Sequence, residues 1–299
     1  MSAVVVAVTA TYRRAQELRR LLGSLEKSAH PLRGAVVVDN ADDPATASAI
    51  AASTLTAQRI VPGANLGCGG GLAVAEQVAL AHFPDATHLW ILDDDAVVSP
   101  HALGTLLAAL DSEHAVVASP MVVAEGGALG WFPGLTDAEK FRIVREPQTP
   151  AEFIARCGPA PVPFSWSTGV ALLVTRRAIE TLGFHRADYW VRGEDLEFSL
   201  RLTYRERGVF VPTALVEHLP PPSTPAVRGE EYVKHRAMIQ NIAYTALRLP
   251  HGRRIARTIP GNCRRFLRTW GWWSPRVLAD TLAALWRGGI LARPAGAMR

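Results

Sequence analysis

Cysteine is scarce: Cys68, Cys157 and Cys263 are the only three in 299 residues, odd in number and far apart. That count argues against a disulfide framework and a cysteine-built zinc centre, and it suits a reducing compartment. Long hydrophobic runs are missing as well. No stretch of about 18 uncharged apolar residues occurs, so no transmembrane helix is expected. The opening MSAVVVAVTATYRR lacks the early basic segment and small-residue cleavage site of a secretory leader. Its apolar run reads as a first strand, and a cytoplasmic protein is expected. Two phosphate-binding signatures are absent too. In the glycine-rich stretch 63–71 the third glycine of a dinucleotide fingerprint would fall at Leu72, and no Gly-Lys-Ser/Thr follows. There is no internal repeat and no low-complexity tract.

What is present is a soluble globular composition, 48% hydrophobic and 20% charged, sufficient for one large domain with a smaller appendage. Charge is unevenly spread. Residues 251–299 hold ten arginines against the single acid Asp280, a net +9, while the whole chain carries +5, so the first 250 residues sum to −4. A mildly acidic body carries a basic tail.

The first two-thirds alternate between strand and helix patterns. Residues 4–8 form a continuous β-branched run, as in a buried parallel strand. Leu18, Leu21, Leu22 and Leu25 then share one helical face. Further strands are expected at 35–38, 58–61, 88–92, 115–118, 170–174 and 209–211, with helices at 44–53, after the glycine run, at 100–110 and at 194–205. Residues 121–165 are interrupted by Gly126, Gly127, Gly130, Pro133, Pro147 and Pro150. The alternation predicts an α/β fold with a mostly parallel sheet flanked by helices. A boundary is expected near Pro220, giving a body of residues 1–220 and a helical, basic, Trp-rich extension of residues 221–299.

Chemistry-bearing residues fall at element boundaries. Asp93-Asp94-Asp95 ends an apolar strand. In extended chain Asp93 and Asp95 project to one side and Asp94 to the other, and a divalent cation would relieve their repulsion. Carboxylates at the C-terminal ends of strands in α/β sheets also lie where ligands bind. Glu194-Asp195 opens a helix, where the dipole alone explains acids, or where a carboxylate serves as general base. His218 follows a strand, and Trp166-Ser167-Thr168-Gly169 precedes one. Each is weak when taken singly.

Their order is informative. Asp39 after a strand, Asn65-Leu66-Gly67, Asp93-Asp94-Asp95, Trp166 to Gly169, Glu194-Asp195 and His218 in succession resemble the inverting family-two glycosyltransferases of GT-A fold, over about residues 3–245. Within that family the segments Thr11-Tyr12-Arg13-Arg14, Asn65 to Gly71, and Trp190-Val191-Arg192-Gly193-Glu194-Asp195-Leu196-Glu197-Phe198 are most similar to bacterial galactofuranosyltransferases. Rhamnosyltransferases share much of the pattern.

The resemblance implies a GT-A, Rossmann-like catalytic domain and a role for each matching residue. Thr11, Asp39, Asn65 and Gly67 would meet the nucleoside, and Asp93 and Asp94 the nucleotide or its sugar. Asp95 and His218, with Asp93 beside them, would hold Mn2+ or Mg2+; one imidazole among oxygen ligands tilts the choice toward manganese. Asp195 would be the catalytic base, and Trp166, Ser167 and Glu194 would line the acceptor site. The donor would be a nucleoside diphosphate sugar, and the acceptor a glycan or polyprenyl-linked glycolipid. Two departures stand out. Gln240-Asn241 replaces the Arg-Asn often found in relatives, with Arg236 one turn earlier as a substitute, and Cys68-Gly69 replaces Gly-Ala. Arginine interleaved with Phe266, Leu267, Trp270, Trp272, Trp273 and Trp286 suits peripheral contact at the inner face of the cell membrane, or packing on the body or on a second subunit; nucleic acid is not the expected partner. Two other classes of function compete with sugar transfer. One is a nucleotidyltransferase, which needs a basic phosphate-gripping loop this chain lacks, and the other is a non-catalytic nucleotide-binding scaffold.

Overall fold

Buried parallel strands must be apolar on both faces, and β1 (Val5–Thr11) shows it: Val5 and Ala7 enter one core, Val6 and Val8 the other. The same alternation runs through β2 (Gly34–Asp39) and β4 (His88–Leu92), where Trp90 and Leu92 face one way and Leu89 and Ile91 the other. Each such side chain contributes about 1.5–3 kcal/mol relative to exposure. This computed structural model describes residues 3–146, 148–220, 228–249, 255–271 and 274–290. Pro147, residues 221–227, residues 250–254, Trp272, Trp273 and residues 291–299, on which part of the tail reading rests, lie outside the described residues.

The sheet has ten strands, nine of them in the order β3-β2-β1-β4-β9-β6-β10-β8-β7. Here β3 is Ala57–Ile60, β6 Val117–Val123, β7 Gly134–Leu135, β8 Val162–Trp166, β9 Ala171–Thr175 and β10 Gly208–His218. Strands β1 to β4 are parallel, β9 enters antiparallel between β4 and β6, and β10 resumes parallel beside β6. The sheet is therefore mixed and mostly parallel. Helices α1 (Ala15–Leu25), α2 (Pro44–Ala51) and α4 (Ala102–Glu113) complete one core layer, and α3 (Gly67–His82) and α8 (Glu194–Arg205) the other. On α1 the four leucines are all buried, as their spacing predicts.

Differences from the sequence reading lie mainly after residue 120. The turns at Gly126–Gly130 are followed by β7, α5 (Ala138–Val144), α6 (Pro150–Cys157) and β8, and β9 by α7 (Arg176–Leu182). Strand β10 does not stop before Pro212. It shifts register between Val211 and Leu215 and runs on to His218, because a bulge absorbs the proline. Strand β5 (Ala96–Val98) was not foreseen either. It pairs antiparallel with β10, setting Ala96 opposite His218. Beyond Pro220, α9 (Arg228–Arg248), α10 (Ile259–Trp270) and α11 (Pro275–Ile290) pack on one another, with Ile239, Phe266, Val277 and Ala284 forming their shared core.

Candidate active site

Strand β4 ends at Leu92, and the next three residues turn toward β5. Leu219 N–H donates to Asp95 O (3.0 Å), so the β5–β10 pairing delivers His218 onto this turn. His218 Nε2 lies 2.9 Å from Asp95 Oδ1 and 3.7 Å from Asp93 Oδ2. The approach to Asp95 is off the hydrogen-bonding direction, and Asp95 Oδ1 has no hydrogen-bond partner despite full burial. One ligand atom from each of Asp93, Asp95 and His218 lies within 4.8 Å of the others. Two carboxylate oxygens and an imidazole nitrogen gathered around one point, one oxygen left unsatisfied, fit a divalent cation. Asp94 stays outside this triad but lines the same cavity: Thr11 Oγ1 donates to its Oδ2 (2.6 Å) and Arg14 Nη1 to its Oδ1 (3.1 Å). Arg14 Nη1 also donates to Asp95 Oδ2 (2.9 Å).

Crowding shapes the proton affinities. Burial, then repulsion from Asp95, pushes Asp93 up to about 7, and burial raises Asp94 to about 6 against the pull of Arg14. Burial also raises Asp95, but His218 and Arg14 outweigh it and hold the carboxyl below its usual range. His218 is raised because Asp95 and Asp93 overcome its own burial.

Two cavities meet at Asp93. The first, about 850 Å³, is polar, with Thr11, Arg14, Asn65, Asp93 to Asp95 and His218 among its lining. Its mouth carries Arg192, Glu231 and Lys234; Arg192 Nη2 and Glu231 Oε2 are 2.7 Å apart. The second, about 790 Å³, is largely apolar, with Trp131, Phe164, Trp166, Leu200, Met238 and Ile242 in its wall. Cys68, Asp93, Arg192 and Glu194 line both.

Asp195 lies on the apolar side, in the first turn of α8. Its Oδ1 accepts from Leu196 N–H (2.7 Å) and its Oδ2 from Gly169 N–H (3.1 Å). A Cβ at Gly169 would lie 3.0 Å from Asp195 Cβ, so a larger residue there would press on the Asp195 side chain. The chain enters α8 through Arg192 (φ 61°) and Gly193 (φ 95°), and Asn241 Nδ2 pins the turn by donating to Arg192 O (2.9 Å) and Val191 O (3.2 Å). Burial raises Asp195, while the two backbone N–H groups oppose it. Burial and Asp195 push Glu194 up to about 8, and Glu194 Oε2 is buried without a partner.

Several expected residues sit differently. Asp39 is fully buried and is not part of the cavity wall. Its carboxylate accepts from Arg59 Nη2 (2.6 Å), Ala41 N–H (3.1 Å) and Asp43 N–H (3.0 Å), and the next residue, Asn40, lines the polar cavity instead. Asn65 lines that cavity, its Oδ1 accepting from Gly67 N–H (2.9 Å). Gly67 lines it too, and the glycine run is also a packing surface: a Cβ on Gly67 or Gly69 would meet Trp190 O or Tyr189 O at about 2 Å. Trp166 and Ser167 both line the apolar cavity: Trp166 covers Gly134, and the buried Ser167 hydroxyl is bonded to Ser119 (2.7 Å). Arg236 does not reach the polar cavity. It turns to Asp280 on α11 (3.4 Å). Arg192, Lys234 and Trp131 had been assigned no role. The ring of Trp131 stands edge-on to His218, centroids 4.2 Å apart, and its φ of 47° is unusual for so large a residue. Its setting in the Gly-Gly-Ala-Leu-Gly-Trp turn was the available signal.

With this geometry in hand, the family profile described as "Glycosyltransferase like family 2" matches residues 2–237. The chain belongs to that family. As a glycosyltransferase it carries the GT-A-like fold expected. TarS of S. aureus with UDP-GlcNAc superposes with a TM-score of 0.61 at 15% identity, over 95% of this chain and 80% of that one. The mannosyltransferase PcManGT of Pyrobaculum calidifontis, with GDP-Man and Mn2+, gives 0.55 at 17% identity, over 96% and 81%. GalNAc-T7 with UDP, GalNAc and Mn2+ gives 0.55 at 15% identity over 86% of this chain, which spans about half, 54%, of that protein. At such identities the likeness is one of fold. A search of curated proteins finds no match.

Proposed function

We propose that this glycosyltransferase moves galactofuranose from UDP-galactofuranose to a hydroxyl of a glycan or polyprenyl-linked glycolipid, with inversion. The observation that carries the reading is the shared wall: a charged cavity with a cation-ready triad abuts an apolar cavity holding a buried carboxylate, Asp195. The nucleoside diphosphate occupies the polar cavity, and Asp93, Asp95 and His218 hold Mn2+ or Mg2+. When bound, that ion neutralises charge developing on the departing diphosphate. Arg192 and Lys234 supply the phosphate-facing cations that Arg236, turned to Asp280, does not.

The acceptor enters beside Trp166 and Trp131. Asp195, held by two backbone N–H groups, takes the hydroxyl proton as the oxygen attacks the anomeric carbon from the face opposite the diphosphate. Glu194, with a proton affinity near 8, stays protonated at neutrality; it offers the acceptor a hydrogen-bond donor and spares Asp195 a neighbouring negative charge. A thermal-shift screen of nucleoside diphosphates with and without Mn2+, followed by a donor-hydrolysis panel, tests the reading. UDP stabilising only with metal, and UDP-galactofuranose hydrolysed fastest, are the expected results. Preference for dTDP and dTDP-rhamnose would reassign the sugar, and indifference to every nucleotide would overturn the donor assignment.

A further inference from the structure

Helix α11 buries one face and exposes another that is equally apolar. Val277, Thr281 and Ala284 point inward, and Gly288 is backed so closely on α9 that a Cβ would meet Gln240 O at 2.4 Å. Leu278, Leu282 and Trp286 follow one another at one-turn intervals on a second face, where they are 43%, 67% and 65% exposed. At the helical period Pro275, Ala279 and Ala283 lie between and beside them, so an arc of about 140° carries no polar side chain. Of the nine large hydrophobic residues exposed among the described residues, three fall on this arc. Exposed Arg276 and Arg287 border it along one edge.

We propose that this face of α11 rests in the headgroup region of an anionic lipid bilayer. Apolar rings and chains flanked by arginine are the composition that sits at such an interface, with tryptophan at headgroup depth and guanidinium groups on lipid phosphate. The charge of the helical extension has the matching sign: α10 adds exposed Arg264, Arg265 and Arg268, and Asp280, the only acid in residues 251–299, is engaged by Tyr232 and Arg236. A second copy docking through the same patch about a two-fold axis would bring these arginines against each other. Among the described residues no helix is long and apolar enough to cross a membrane, so the contact is one of lying on the surface. The inference goes beyond the transfer reaction and does not depend on which sugar is moved.

The test is flotation of the full chain with phosphatidylcholine vesicles and with vesicles of phosphatidylcholine and phosphatidylglycerol in equal parts. The native protein is expected to float with the anionic vesicles and less with the neutral ones. Leu282→Ser with Trp286→Ser should lower that binding about tenfold or more while leaving the melting temperature and donor hydrolysis unchanged. Arg276→Gln with Arg287→Gln should weaken binding and flatten its salt dependence. The proposal is overturned if the native protein stays unbound on anionic vesicles, or if the Leu282/Trp286 variant binds as well as native. It is also overturned if the native chain ignores vesicles and forms a dimer that this variant dissolves, which would assign the face to a second copy.

Discussion

The polar cavity draws its walls from three consecutive aspartates, a threonine and arginine at the end of β1, and one histidine, while the cavity across Asp93 is walled by Phe164, Trp166, Leu200, Met238 and Ile242. One side is therefore charged and the other apolar, the division on which the proposed donor and acceptor sites rest. The contrast explains how neighbouring carboxylates can serve opposite tasks. Asp95 is held ionised by His218 and Arg14, whereas Glu194, a short distance across the wall, is left to keep its proton.

The largest predicted effect comes from the shared wall. Asp195→Asn should cut transfer by about 10²–10⁴-fold with donor affinity intact, because only the proton acceptor is lost. Near-native turnover would move the base elsewhere. Next, on the charged side, His218→Ala or chelation should abolish both turnover and the Mn2+-dependent rise in melting temperature; full activity in excess chelator would remove the cation from the scheme. On the apolar side, Trp166→Ala should raise the acceptor KM about tenfold, or about 1.4 kcal/mol, and leave the donor KM alone. An equal change in both constants would dissolve the division of labour. At the mouth, Glu231→Gln should tighten UDP severalfold, since it removes the anion competing for Arg192 and Lys234, and Arg192→Ala should weaken it; calorimetry decides, and weaker binding by the Glu231 variant would count against the phosphate assignment.

A pH series gives the smallest effect and the sharpest sign. Asp93 binds its proton more tightly folded than unfolded, its folded value being about 7 against 3.8, so metal-free stability from this group is full below about 4 and lost as pH rises through about 7. Cation binding needs Asp93 and His218 without their protons, so Mn2+ affinity should climb over the same interval. A Mn2+-induced shift in melting temperature that is flat from pH 5 to 8 would contradict the ligand set.

The same contrast accounts for what could be read from the chain. Asp93-Asp94-Asp95 is contiguous and sits at the end of an apolar strand, so the pairing of Asp93 with Asp95 follows from the two-residue period, while Asp94 is buried in the same cavity rather than turned away from it. Trp166 and Asp195 were visible at element boundaries. The apolar cavity was otherwise hidden, because Phe164, Leu200 and Ile242 look like core residues in any local window and become a wall only when β8, α8 and α9 converge. Asp39 lies outside the cavity lining for a related reason. Its strand-end position is right, but Arg59, arriving from β3, claims its carboxylate and leaves Asn40 facing the cavity. Strand β5 is three residues long and has no pattern to be seen alone, and of β10 only the part before Pro212 reads as a strand in the sequence.

That short antiparallel ribbon also sets a schedule. The aspartates leave the ribosome well before His218, and until β10 has threaded beside β6 and been joined by β5, the third ligand is missing. With the proposed ligand set, cation capture would be a late event in the life of the nascent polypeptide, and a bound ion would clasp the opening half of the sheet to the strand that completes it. A chain truncated ahead of residue 218 would retain the donor-side aspartates yet lack the means to grip metal.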